Sequence, residues 1–234
     1  MQYMGGKAKI ARKVVAAILA DVESRQTWVE PFVGGGNIAE HAVPHFQEAI
    51  CTDLHPDLIL MWQAVAAGWV PPDLDKERYY ALKQSAPSAE RGYAGFGASF
   101  GGKWFGGFGV SPRDGEVWRA SQRALARQGK VFQEHKTLFW QLSYADLHPT
   151  DGDVVYCDPP YASTTGYATG AFDHDSFYAV LMEWARNGAA VYVSEYSTPE
   201  LVPVQLVWQQ EKRNVLDSKE NSRTVTELLV KVTP

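Results

Sequence analysis

The stretch "TWVEPFVGGGNIAEHAVPHFQEAICTD", Thr27 to Asp53, decides how the chain folds. Thr27–Glu30 is a short β-branched and aromatic run that breaks at Pro31 and then at three glycines, Gly34 to Gly36. A helical pattern starts at about Asn37, and "EAICTD" is a second strand ending on Asp53. Strand, glycine loop, helix and strand in that order are the rhythm of a parallel α/β sheet.

Working outward, "HPDLILMWQAVAAG" is the helix after the second strand, and residues 7–20 form an amphipathic helix before the first. The rhythm stops at Pro71. The glycine- and aromatic-rich "YAGFGASFGGKWFGGFG" suits no regular element, and "EVWRASQRALARQG" is helical by spacing, with Gly129 placed to cap its C-terminus. From about residue 137 the α/β pattern returns: "TLFWQLSYADL", the strand "VVYCD", the helix "DSFYAVLMEWARNG" and the strand "AAVYVSEYS". The C-terminal stretch reads as two strands joined by a polar turn. The expectation is one α/β domain, residues 1–70 and 137–234, interrupted by an insert at 71–136.

With 234 residues, 45% of them hydrophobic, the chain can bury a sizeable core, and an ordered globular chain is expected. No apolar run approaches the roughly 20 residues of a membrane span. The basic N-terminus has Arg12 and Lys13 inside its apolar stretch and lacks a signal-type cleavage site, so a cytoplasmic location is expected. Two cysteines, Cys51 and Cys157, suggest neither a disulfide framework nor a metal site and read as small core residues. Net charge is −5, but residues 91–136 hold eight Lys/Arg against three acids, so this segment is +5 within a remainder at −10. Such a basic segment fits a nucleic-acid face, or a solvated helix.

"EPFVGGG" lets backbone approach a ligand closely, and the Walker lysine pattern is absent there, which disfavours a nucleotide triphosphatase. Asp53 lies 17 residues after Gly36, about where a carboxylate accepts the two hydroxyls of a ribose. That combination fits NAD and S-adenosylmethionine (SAM) equally, and Asp53 as an N-cap of the next helix is the structural alternative. "DPPY", Asp158 to Tyr161, ends a strand that opens into the ligand crevice of such a sheet. Prolines lack an N–H, so the carbonyls of Asp158 and Pro159 stay available as acceptors, and Tyr161 offers a ring on which a planar base can stack. An acid, a carbonyl and a stacking platform describe a pocket for an aromatic ring bearing an amino group.

"DPPY" after a strand, with "EPFVGGG" and the N-terminal "YMGGK", resembles the Dam-type DNA adenine methyltransferases. So do "TDLHPDLI" and the closing "NSRTVTELLVKV", while "SFGGKWFGG" resembles inserts of phage-encoded members. The resemblance implies a Rossmann-like SAM-dependent methyltransferase sheet, of the permuted class in which the recognition insert, mostly helix and loop, precedes "DPPY". It implies that Tyr3 and Lys7 help to close the SAM pocket and that Phe32 lies against the cofactor adenine. Glu30, Gly34 and Gly36 belong to the loop that wraps the methionine, Asp53 is the ribose acid, and Asp146 stands near the adenine. Asp158, Pro159 and Tyr161 are the catalytic motif, and Asp158 also faces the bound cofactor. Double-stranded DNA is the implied partner and S-adenosylhomocysteine the by-product. No metal, membrane or obligate protein partner is expected, and the chain is expected to be a monomer or weak dimer in a bacterial cell or phage-infected host, inside or outside a restriction-modification pair.

Phosphate contacts are expected from Lys103, the Arg119/Arg123/Arg127 stripe, and Lys212, Arg213, Lys219 and Arg223, with a solvated face the alternative for the stripe. "GASFGGKWFGGFG" is a target-recognition loop or a packed aromatic block. Three rivals stand beside adenine methylation. One is the same chemistry on cytosine, RNA or a protein amide; another is a nicotinamide oxidoreductase, which leaves "DPPY" unexplained. The third is a silent DNA-binding module.

Overall fold

A computed structural model describes residues 1–111, 115–160, 172–215 and 222–234. The chain runs α1 (Ala11–Asp21), β1 (Thr27–Glu30), α2 (Ala39–Ala42), β2 (Glu48–Asp53), α3 (Pro56–Ala66), α4 (Lys76–Lys83) and α5 (Ala89–Gly92). It continues through β3 (Val110–Ser111), β4 (Gly115–Glu116), α6 (Val117–Glu134), β5 (Leu138–Gln141), β6 (Asp153–Cys157), α7 (His174–Arg186), β7 (Ala190–Glu195), β8 (Val204–Val215) and β9 (Ser222–Val232). Seven strands form one sheet in the order β5-β2-β1-β6-β7-β9-β8. The first five are parallel, β9 is antiparallel to β7, and β8 is antiparallel to β9. This is the parallel α/β sheet that the spacing of strands and helices predicts, in the Rossmann-like form that the resemblance implies.

Alternation along the strands feeds two cores. Trp28, Val154, Tyr156, Tyr192 and Leu229 point into one, shared with α1, α3 and α6. Val29, Val155, Cys157, Val191, Val193 and Val230 point into the other, against Phe177, Leu181 and Trp184 of α7. Both faces being covered explains why β6 and β7 read as nearly unbroken apolar runs. The region 71–136 has no core of its own among the described residues: Leu74, Tyr79, Tyr93, Phe96, Phe105, Trp118, Leu125 and Phe132 join the first core.

One expectation is overturned. Gly129 does not cap α6, which continues to Glu134. Gly129 lies inside the helix, where a Cβ would stand 2.9 Å from Val65 Cγ1 and 3.0 Å from the Val65 carbonyl. It is glycine because α6 crosses α3 at backbone contact. Helix starts follow the sequence more closely: Asp75 and Asp173 cap α4 and α7 by accepting from the Arg78 and Ser176 amides. Among the described residues no helix is long and apolar enough to cross a membrane.

Candidate active site

The strand order reverses between β1 and β6: β2 lies on one side of β1, β6 and β7 on the other. Ligands of open α/β sheets bind outside the carboxyl ends of the strands at such a switch point. Four acids stand at those ends or on the strand beside them: Glu30 (β1), Asp53 (β2), Asp158 just past β6, and Glu195 (β7).

The glycine loop is pinned rather than free. Gly34 N–H donates to Asp53 Oδ2 at 3.2 Å and His55 N–H to Asp53 Oδ1 at 3.0 Å. Trp62 Nε1 donates to the Gly34 carbonyl at 2.9 Å, and Gln128 Nε2 to those of Gly35 and Gly36 at 3.0 and 3.1 Å. The N-cap of α3 is His55, so Asp53 ties the loop to β2 instead of capping that helix. Tyr3 lies across the loop: a Cβ on Gly34 would come within 2.8 Å of the Tyr3 ring, and one on Gly35 within 2.8 Å of Tyr3 Cβ. The close approach that requires these glycines is therefore to the chain's own N-terminal segment. Gly36, with φ +65°, would meet the Trp62 ring at 2.9 Å.

From the same N-terminal segment Lys7 reaches the end of β6. Its Nζ is 2.9 Å from Asp158 Oδ1 and 3.3 Å from Glu227 Oε1, and the lysine and Glu227 are both buried. Burial acts to lower the Lys7 pKa, but the Asp158 and Glu227 carboxylates outweigh it and raise the ammonium above its ordinary range. Glu30 is pushed well up by burial, against one hydrogen bond from Trp28 Nε1 at 3.0 Å. Burial also raises Asp53 against its backbone donors. Glu195 rises to about 7, chiefly by burial, while accepting from the Tyr178 hydroxyl at 2.9 Å. The thiols of Cys51 and Cys157 are free, buried and pushed up, which suits core residues rather than nucleophiles.

Phe32 packs with Tyr144, Phe172 and Phe177 at centroid distances of 5.7, 5.9 and 5.7 Å. Asp146 is exposed, in the same short turn as Tyr144. Pro159 is buried beside Asp158. Tyr161 and Lys219 lie outside the described residues, as do the side chains of Lys212, Arg213 and Arg223. On α6, Arg127 makes a bidentate pair with the buried Glu40, with Nη2 to Oε2 at 3.0 Å. Arg119 lies over the Trp118 ring at 4.4 Å, 3.5 Å from Glu116. Arg123 and Lys103 are exposed. Sequence reading did not assign Tyr144, Glu195 or Glu227. The signal for the last two was an acid inside an apolar strand run, "VYVSE" and "TELLVKV".

The donor set distinguishes two cofactor classes. A pyrophosphate needs free loop amides and a helix N-terminus. Here Gly34 N–H is taken by Asp53, Gly36 N–H by the Val33 carbonyl, and the helix that follows is four residues long. Acids line the strand ends, with the Lys7 ammonium set against Asp158. A ligand with a ribose diol and a sulfonium charge, as SAM has, fits these residues, whereas a pyrophosphate would find the Gly34 and Gly36 amides already engaged.

Residues 3–93 match the family model of the D12 class N6 adenine-specific DNA methyltransferases. The match takes in Tyr3, Lys7, the glycine loop and Asp53 and ends before Asp158. No curated protein matches the sequence significantly. Solved structures of similar fold include the 23S rRNA methyltransferase ErmE (7% identity, 99% of this chain and 70% of that one, TM-score 0.46). A precorrin-6y C5,15-methyltransferase from Geobacter metallireducens GS-15 is another (6%, 99% and 93%, TM-score 0.45). So is an rRNA methylase from Streptococcus thermophilus (8%, 96% and 96%, TM-score 0.41). At these scores the likeness is loose and says nothing of substrate.

Proposed function

We propose that this chain, a SAM-dependent methyltransferase of the Dam-type family, methylates the 6-amino group of a flipped-out adenine in double-stranded DNA. The observation that carries the reading is the placement of Asp158. It stands at the switch point, held by Lys7 at 2.9 Å, beside the glycine loop and Asp53 that fit the cofactor.

SAM, when bound, supplies a methyl group on a cationic sulfonium whose departure leaves a neutral thioether. Asp53 would accept from a ribose hydroxyl with the acceptor capacity left beyond the Gly34, His55 and Leu54 amides. Phe32 and Tyr144 would form an apolar wall for the cofactor adenine, with Asp146 at its rim. Glu30 and the loop through Gly34 and Gly36 would surround the methionine part, closed by Tyr3 and Lys7.

The target amino group is a poor nucleophile because its lone pair is delocalised into the ring. Hydrogen bonds from its two N–H groups to the Asp158 carboxylate and the Pro159 carbonyl favour a pyramidal nitrogen with its lone pair aimed at the methyl. As the S–C bond breaks and the C–N bond forms, the nitrogen becomes cationic, and the Asp158 carboxylate stabilises that charge until one N–H proton passes to solvent water. Positioning and charge placement carry such a reaction without a covalent enzyme intermediate. A base inside a duplex cannot reach this pocket, so it is extruded and stacked on Tyr161. Phosphates would meet Lys103, Arg119, Arg123 and the basic side chains near the C-terminus.

Incubation with tritiated SAM and unmethylated DNA, then digestion to nucleosides, tests the reading. Label in 6-methyladenine is expected. Label in 4-methylcytosine, or none on DNA, contradicts it.

A further inference from the structure

We infer that Phe100 is the wedge that enters the base stack when the target adenine leaves it, an inference that rests on the DNA-adenine reading above. Base extrusion opens a gap in the duplex, and proteins that deform DNA fill such openings with an apolar side chain held on a firm support. Among the described residues Phe100 is the most exposed large hydrophobic, at 70%, whereas Tyr93, Phe96 and Phe105 of the same insert are buried. A lone exposed hydrophobic needs no explanation by itself. Its mounting distinguishes this one.

Phe100 sits on a tight turn, Phe100–Gly102, whose base is cross-braced. Phe100 N–H donates to the Gly107 carbonyl at 2.8 Å and Gly102 N–H to that of Ser99 at 3.1 Å. Ser99, fully buried, donates to the Gly95 carbonyl at 2.6 Å and meets the Tyr79 hydroxyl at 2.7 Å. That hydroxyl in turn accepts from Gly107 N–H at 3.2 Å. The ring is thus presented on a stiff loop, so little ordering entropy is lost when it is inserted. Around the tip there is clearance: a Cβ on Gly101 or Gly107 would find no atom within 4 Å.

The turn is also fixed to the site. Met4 N–H donates to the Gly102 carbonyl at 3.3 Å, and a Cβ on Gly102 would stand 2.6 Å from Tyr3 Cα. Tyr3 packs against Phe96 with centroids 5.0 Å apart and the rings tilted by 41°, and lies against Gly34, while Lys7 of the same segment holds Asp158. One segment therefore connects the aromatic tip, the glycine loop and the acid. Its surroundings suit a polyanion: residues 91–113 contain no Asp or Glu although the whole chain is −5, and Lys103 is exposed three positions from the tip.

The test uses two duplexes carrying the adenine that the wild-type protein methylates, one fully paired and one with an abasic site opposite that adenine. Phe100→Ala is expected to lose on the order of 10- to 100-fold in kcat/KM on the paired duplex, because the unstacking cost is no longer offset. On the abasic duplex it is expected to return to within about threefold of wild type, with unchanged affinity for SAM. Phe100→Trp should keep its activity on both. The inference is overturned if Phe100→Ala stays near wild type on paired DNA, or loses equally on both duplexes. A wild-type protein that methylates no adenine in DNA overturns it too, but through the functional reading beneath it, before any variant is compared.

Discussion

Lys7 Nζ lies 2.9 Å from Asp158 Oδ1, across 151 positions of sequence, and 3.3 Å from Glu227 Oε1 on β9. Three chain segments thus meet on one buried ammonium, which holds the acid at the end of β6 and is shared with Glu227 of β9. Removing one partner of a buried ion pair leaves an uncompensated charge. Lys7→Met should therefore cost about 3–5 kcal/mol in urea denaturation. The double variant Lys7→Met/Glu227→Gln should recover part of that stability without recovering methyl transfer, since Asp158 would still lack its holder. A Lys7→Met protein as stable as the parent would show that the pair is dispensable.

The Glu195 carboxyl is raised from 4.5 to about 7, chiefly by burial. A raised pKa means that the folded chain holds the proton more tightly than the unfolded one. The contribution is fully present below the unfolded pKa near 4.5 and is lost as pH rises through about 7. Glu195→Gln keeps an acceptor for Tyr178 but cannot ionise. Measured by chemical denaturation, the variant should gain on wild type between about pH 4.5 and 7, by on the order of 2–3 kcal/mol. A constant difference across that window would mean that Glu195 titrates normally.

Gly129 sets two effects of opposite sign against each other. Alanine inside a helix gains about 1 kcal/mol over glycine. The added Cβ, however, would stand 2.9 Å from Val65 Cγ1 and 3.0 Å from a backbone oxygen that cannot step aside. Overpacking of that kind costs about 1–3 kcal/mol. Gly129→Ala should lower the thermal midpoint, and a higher midpoint would show that α3 and α6 separate easily.

The contrast between Gly129 and Asp53 shows how far the sequence is legible. Periodicity located β1, β2, α3, β6, α7 and β7, because alternation and helical spacing are local properties. It placed Asp53 at a strand end but not its bonds to Gly34 and His55, which depend on how the loop folds back. Gly129 resembled a cap because a glycine near the end of a helical pattern usually is one. The contact with Val65 that requires it comes from another helix. Lys7, Asp158 and Glu227 were each visible as residues. The resemblance put Lys7 and Asp158 at one site; that Glu227 joins them follows only from the sheet order, which puts β9 beside β7 and β7 beside β6. The acids within apolar strands were a readable sign that sequence reading left unassigned.

The arginine stripe of α6 should divide by function. Arg127 neutralises the buried Glu40 carboxylate, so Arg127→Ala should cost stability of about 1–3 kcal/mol. Arg123 is exposed, and Arg123→Ala should leave stability within about 0.5 kcal/mol. It should weaken DNA binding evenly across sequences and reduce the salt slope by about 1. Denaturation and binding at several salt concentrations check both. Equal effects of the two variants on DNA affinity would contradict the division.

The most direct measurement of the central claim is the single-turnover rate of methyl transfer to adenine in unmethylated DNA by Asp158→Ala, with SAM affinity measured on the same protein. If Asp158 is the acceptor for the target amino group, the rate should fall by at least about 10²–10³-fold while SAM binding stays within a few-fold of wild type. A variant that keeps most of its rate, or loses SAM binding in proportion to rate, would contradict the role assigned to the end of β6.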